Sequence, residues 1–307
     1  MDGVLVIDKP KDMTSHDVID VVRRASRTRS VGHAGTLDPM ATGVLVVAVG
    51  KATKLIRFLK TDPKEYHARI AFGLETDTDD ISGSVTSKKN ASHLRKEVLE
   101  KVLSKFKGRI KQVPPAYSAV KVKGVPSYRL ARKGAAVELK PRMVEIYELK
   151  LENFKRGERA EAELIAKCSA GTYIRSLARD LGRELSTGGT LLSLRRLRSG
   201  AFSIEQAVTP CALSDHEAIL TRFLPIEQAL GNLPSIRLRA GMSDSVRNGQ
   251  PVTVKAISQC DEAEKGSTVK VLSGSGQILA IASATVRLDG IGSMSKNEIV
   301  ARPIRVI

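Results

Sequence analysis

Val4-Leu5-Val6-Ile7 and Val44-Leu45-Val46-Val47 are short apolar runs closed by charge or glycine, and no apolar run in the chain reaches the length of a membrane span, ~18 residues. Runs of this kind suit strands, and amphipathic segments between them suit helices. Val4 to Asp8 reads as a strand, and Ser15 to Arg27 as a helix that Thr14 or Ser15 caps, with Val18, Ile19 and Val22 on one face. A glycine-bearing loop from Gly32 to Gly43 leads into the strand Val44–Val47, and Lys51 to Lys60 reads as a short helix. Tyr66 to Phe72 alternates with period two and predicts another strand. Leu94 to Phe106 predicts a helix supported by a Glu97–Lys101 pair. Val144–Phe154 and Ala160–Cys168 predict paired strands, followed by a helix over Ile174–Leu185 and a strand over Leu191–Ser199.

Two segments break this rhythm. Residues 116–140, after Val113-Pro114-Pro115, hold several Lys and Gly and read as a mobile basic excursion. Residues 211–234 carry prolines and read as a connector. Beyond it, Val252–Ile257, Thr268–Leu272, Ile278–Ala284 and Ile299–Ile304 are short strands punctuated by Gly, the spacing of a small barrel or sandwich. A length of 307 residues suits one large domain over 1–210 and a smaller one over 235–307, since single cores rarely grow beyond about 250–300 residues.

Charge narrows the partner. The chain has 50 Lys+Arg against 33 Asp+Glu, a net +17, of which only +4 falls in residues 235–307. A folded chain with such an excess points to a polyanion. The apolar content excludes wholesale disorder, and no basic amphipathic helix favours a membrane surface. The opening lacks a signal-peptide cleavage region, and three widely spaced Cys imply no disulfide framework. The expectation is therefore a cytoplasmic protein whose cysteines are small buried hydrophobes. Neither a dinucleotide-binding nor a P-loop glycine motif is present, and the five His show no metal-ligand spacing. Asp77-Thr78-Asp79-Asp80 lacks the register of a calcium loop and reads as a solvated turn.

Two stretches stand out chemically. Gly32-His33-Ala34-Gly35-Thr36-Leu37-Asp38-Pro39-Met40-Ala41-Thr42-Gly43 packs three Gly, one carboxylate and one imidazole before an apolar strand. Alone, Asp before Pro is more often a turn former than a catalyst, and a lone His is usually a satisfied surface or core group. Ser169-Ala170-Gly171-Thr172-Tyr173-Ile174-Arg175 leads into a helix whose first turn presents Tyr173 and Arg175. Six Arg and no Lys lie between Tyr173 and Arg198, a choice that suits bidentate phosphate contacts, although a charge stripe is usually a solvated face. Tyr66 and Leu194, on alternating strands, are core residues by default.

These residues resemble the TruB-type pseudouridine synthases. The Asp38 loop is similar to that family's catalytic motif, and Gly3–Pro10, Lys64-Glu65-Tyr66, Gly73–Asp80, Cys168–Arg175 and Leu194–Arg198 are similar to its other motifs, together covering about residues 3–210. Met40 stands where the family commonly has Leu, a volume-conserving change. The resemblance implies an α+β fold: a mixed, mostly antiparallel sheet flanked by helices, with a PUA-like β-barrel at 235–307 for RNA binding. It implies isomerisation of uridine-55 in the T-loop of tRNA, without cofactor or metal, by a monomer needing no obligate protein partner. Asp38, Tyr66 and Arg175 match the catalytic residues, and His33, Tyr66, Tyr173 and Leu194 those that contact substrate. In this reading Arg175 pairs with Asp38, Tyr66 stacks on the target base, and His33 refills the space the flipped base leaves. The rival readings are a guide-RNA-dependent synthase of the dyskerin type and a non-catalytic RNA-binding or tRNA-folding module.

Overall fold

Thr42–Val49 is buried on both faces, and that explains why its apolar run does not alternate. Leu45, Val47 and Val49 join the core on one face of the sheet, while Val44, Val46 and Ala48 join the core on the other. The neighbouring strand Gly3–Lys9 divides the same way, Leu5 and Ile7 to one side and Val4 and Val6 to the other. This is a computed structural model, and it describes residues 2–135, 137–213 and 215–307.

Among the described residues nine strands form the large sheet, whose main path runs Gly3–Lys9, Thr42–Val49, Gly189–Ser199, Lys64–Phe72, Glu161–Cys168, Arg142–Lys155 and Gly108–Gln112. Val31–Ala34 pairs with Thr42–Val49, and Phe202–Ser203 with Gly189–Ser199. Every pairing is antiparallel except one, the short parallel seam Arg195↔Thr42 and Arg196↔Gly43. At that seam Thr42–Val49 shares one edge between two partners. Val31–Ala34 takes Val46 to Val49, and Gly189–Ser199 takes Thr42 and Gly43. The loop carrying Asp38 fills the gap between them.

Three helices cover the face that holds the site. Ser15–Ser26 begins with a capping box, in which Thr14 Oγ1 accepts from the Asp17 N–H at 3.0 Å and Asp17 Oδ2 accepts from the Thr14 N–H at 2.7 Å. Val18, Ile19 and Val22 pack inward into the same core as Leu99 and Leu103 of Lys96–Lys105, and Leu177 and Leu181 of Ile174–Glu184. Each such side chain contributes about 1.5–3 kcal/mol of burial. The i,i+4 ion pair on the second helix is Lys96–Glu100, at 3.9 Å. On Lys64–Phe72 the predicted alternation holds. Tyr66, Ala68, Ile70 and Phe72 face the core, while Arg69 on the opposite face pairs with Glu161 at 2.8 Å.

Four expectations are corrected. Val31–Ala34 is a strand inside the segment read as loop, and Gly50–Phe58 is a 3-10 helix. Within the 116–140 excursion, read without regular elements, lie a two-strand hairpin, Lys121–Val122 with Val125–Pro126, and the helix Ser127–Ala131. Cys211 is exposed, whereas Cys168 is buried and its thiol is pushed up to about 11 by that burial.

The C-terminal strands form a six-stranded, nearly closed barrel. It includes Ser235–Leu238, which the sequence reading left out, and the Val252–Ile257 stretch splits around a 3-10 turn. Leu272, Ile278 and Ile281 of this unit share one core with Val4, Val6 and Leu230. Residues of the connector pair with the first strand, Val4 and Leu224 exchanging hydrogen bonds at 2.9 and 2.8 Å, so the sheet edge is covered. No helix of the described residues is long and apolar enough to cross a membrane.

Candidate active site

The Asp38 loop is held by its backbone. Ser15 Oγ, at the start of the first helix, accepts from the Leu37 N–H at 3.0 Å and donates to the Leu37 carbonyl at 3.1 Å. Two fully buried cations grip the rest of it. Arg196 donates to the carbonyls of Val44 at 2.6 Å, Gly35 at 3.0 Å and Thr36 at 3.4 Å. Lys9 Nζ donates to the carbonyls of Met13 at 2.6 Å, Pro10 at 2.8 Å and Pro39 at 3.2 Å. Neither cation forms an ion pair among the described residues, so both charges serve carbonyl dipoles. Burial pulls the Lys9 ammonium down to about 8, against the opposing attraction of Asp12 and Asp38. Gly43 closes the loop at φ +98°, where a Cβ would run into the Arg196 backbone.

This scaffold presents a reachable carboxylate. The Asp38 side chain is 36% exposed, and its partner Arg175 only 6%. Arg175 Nε lies 2.9 Å from Asp38 Oδ2 and its Nη2 3.2 Å from Oδ1, a forked contact that fixes the carboxylate plane. The same guanidinium reaches Asp80 Oδ2 at 3.6 Å, the Thr78 carbonyl at 3.1 Å and the Tyr117 carbonyl at 2.9 Å. One buried side chain therefore ties the Asp38 loop, the 78–80 turn and the start of the 116–140 segment to one helix. Asp80 is itself buried and accepts from Thr78 Oγ1, the Ser82 N–H and Ser82 Oγ. The acidic run read as a solvated turn is thus an internal support of the site.

Thr36, Asp38, Lys64, Tyr66, Ser118, Tyr173, Arg175 and Leu194 are among the residues around one pocket of about 260 Å³. Below the ~300–1,000 Å³ common for drug-sized ligands, it takes one small group. Burial raises the Tyr66 phenol above its ordinary value, against the lowering effect of Arg196, so the ring enters the pocket neutral. Tyr173 is fixed through its backbone, its N–H donating to Gln112 Oε1 at 2.8 Å and its carbonyl accepting from Nε2 at 3.1 Å. His33 is the one expected site residue outside this pocket. It stands edge-on to His16, ring centroids 6.0 Å apart, with Nδ1 buried and unpartnered. Burial, then His16 and Arg196, lower its imidazole below the ordinary value.

The arginine run has a different role from the one expected of it. Arg175 and Arg196 are buried, Arg179 pairs with Asp79 and Asp180, and Arg195 forks onto Asp8. Arg183 and Arg198 are left exposed. Sequence reasoning also missed Lys9, Gln112 and Asp80 as supports, although Lys9-Pro10 and Asp77–Asp80 stood inside the quoted motifs. Among the described residues no three His, Cys, Asp or Glu side chains converge as a metal site.

Comparison with known proteins matches the sequence to a family. Residues 23–174 match the model described as TruB family pseudouridylate synthase (N terminal domain), and residues 175–231 the tRNA pseudouridylate synthase B C-terminal domain. The chain is 43% identical over 287 residues to the tRNA pseudouridine synthase B of Thermobifida fusca, spanning 92% of this chain and 94% of that protein. It is 42% identical over 303 residues to that of Geotalea uraniireducens, spanning 97% and 96%. Among solved structures, a chain of the archaeal box H/ACA sRNP Nop10-Cbf5 complex superposes with a TM-score of 0.73 at 25% identity, covering 99% of this chain and 85% of that one.

Proposed function

The chain belongs to the TruB family of pseudouridylate synthases, and from that premise we propose that it isomerises uridine-55 in the T-loop of tRNA to pseudouridine. The observation that carries this reading is a solvent-reachable Asp38 carboxylate locked by a buried Arg175 at the wall of a pocket sized for one base. The reaction breaks the N-glycosidic bond, turns the uracil in place and rejoins it to the ribose through C5, whose proton is lost as N1 gains one. Asp38 is the group that engages the substrate, whether by attack on ribose or base or by removing a ribose proton. Arg175 holds it in one orientation, so no reorganisation is needed when charge develops. Tyr66 lies against the base face and, as a neutral phenol, can exchange a proton with it. Tyr173 and Leu194 complete the walls.

The base must leave its stack, at a cost of a few kcal/mol. His33, outside the pocket but on the strand leading into the loop, fills the vacated space in this reading. The basic 116–140 segment reaches the pocket through Ser118 and Ala119, so its Lys121, Lys123, Arg129 and Arg132 lie where a stem-loop would be gripped. Mass-spectrometric mapping of pseudouridine in tRNA incubated with the protein tests the reading. Conversion at position 55 by the wild type, and none by Asp38→Asn, is the expected result; turnover by the variant would overturn the role of Asp38.

The likeness to a chain of a box H/ACA particle favours one alternative, a synthase that acts with a guide RNA and protein partners. Activity on a bare tRNA transcript, with the purified chain alone, distinguishes the two. Higher identity over nearly full length to the proteins named tRNA pseudouridine synthase B supports the reading in which tRNA itself is the substrate.

A further inference from the structure

We propose that Lys64 binds the phosphodiester of the nucleotide turned into the Asp38 pocket, an inference that rests on the reading that this pocket receives a nucleotide of RNA. Two cations line the pocket, Arg175 and Lys64. Arg175 is spent on Asp38, Asp80 and two backbone carbonyls. The two cations behind the loop, Lys9 and Arg196, are spent on carbonyls. Lys64 alone has no hydrogen bond or ion pair among the described residues, and its ammonium rests against the backbone at Gly35, 3.2 Å from where a Cβ would stand. A partly buried ammonium without a counter-ion is costly unless something arrives to pair with it. Burial and the nearby Arg196 charge accordingly lower its proton affinity.

Position indicates which anion. Lys64 lies two residues before Tyr66 on one strand, hence on the same face and about 6.6 Å along it. With the uracil against Tyr66, that offset is one a ribose bridges to its phosphate. Asp62, two residues earlier, attracts Lys64 but forms no ion pair with it among the described residues, so the ammonium stays available at the pocket wall. Gly171 lines the same pocket, and nothing lies within 4 Å of where its Cβ would be, so there is room for a phosphate there. A neutral uracil carbonyl would not offset the desolvated charge, whereas a phosphodiester carries a full charge at every working pH, and a lysine meets it as a point charge.

The test is a cycle between Lys64 and single phosphates. T-stem-loop RNAs, each with one neutral methylphosphonate beside the target uridine, are bound to the wild type, Lys64→Met and Lys64→Arg. One neutralised phosphate is expected to weaken wild-type binding about tenfold. Lys64→Met should bind unmodified RNA about tenfold more weakly, lose nothing further on that modified RNA, and show a salt slope smaller by about one charge. Lys64→Arg should retain the wild-type pattern, and Lys64→Gln repeats the cycle should the Met variant fold poorly by circular dichroism. Equal losses by wild type and Lys64→Met at every phosphate, or an unchanged salt slope, would overturn the proposal. Pseudouridine is measured in the same samples. RNA that is bound but not isomerised would refute the reaction proposed above, while the Kd cycle still decides the phosphate contact.

Discussion

Lys9 is the sharpest test of how the Asp38 loop is held. Its ammonium is fully buried, and burial lowers it from the ordinary 10.5 to about 8. That shift is a free-energy cost of about 3 kcal/mol for keeping the group charged in the folded state. The sign follows from proton counts. Between pH 8 and 10.5 the unfolded chain holds the Lys9 proton more tightly than the folded one, so this group makes stability rise with pH across that window. About 2.5 kcal/mol of the cost is relieved between pH 7 and 10. Lys9→Met removes the titration and also leaves the carbonyls of Pro10, Met13 and Pro39 without their donor. Urea unfolding of both proteins at pH 7 and pH 10 separates the two effects, because other titrating groups cancel in the difference. Wild type should gain about 2.5 kcal/mol over Lys9→Met on going to pH 10. A difference that does not move with pH would refute the view that a buried, charged lysine supports the loop.

Other outcomes are expected of the surrounding groups. Arg175→Met strands the buried Asp80 and should cost about 3 kcal/mol in urea unfolding while abolishing turnover; Arg175→Lys restores charge but not the fork, so activity should stay low as stability partly recovers. Gly43→Ala forces a Cβ into the Arg196 backbone at φ +98° and should destabilise by at least about 3 kcal/mol, whereas Gly171→Ala, at φ +83° but facing open space, should cost about 1 kcal/mol; thermal melts of the pair give the comparison. Gln112→Ala removes both hydrogen bonds to the Tyr173 backbone, and steady-state kinetics should register a raised KM with about 2 kcal/mol lost in denaturation.

The first helix was legible because its signals are local: Thr14 as cap, and Val18, Ile19 and Val22 at helical spacing. The pairing of Asp38 with Arg175, 137 residues apart, came from motif resemblance and agrees with the geometry found. Residues 191–198 were harder. Their strand carries register shifts between Leu191 and Ser193 and between Arg196 and Arg198, so simple alternation does not say which arginine turns inward. Arg196 is buried because the parallel seam places it behind the Asp38 loop, and nothing near it in sequence encodes that seam. Charge at Arg179, Arg195 and Asp80 likewise reads as surface until Asp79, Asp8 and Arg175, all distant in sequence, come into view. The 116–140 hairpin was hidden for another reason, as strands of two residues fall below any periodic signal.

The C-terminal barrel meets the rest of the chain through a shared aliphatic core. Leu272, Ile278 and Ile281 pack in one core with Val4 and Val6, and Ile307 packs against it. A chain cut after residue 234 would uncover the back of the strands that frame the Asp38 loop. Replacing the barrel at that junction would therefore mean repacking the sheet, because the side chains that seat it also back the strands that hold the Asp38 loop in register.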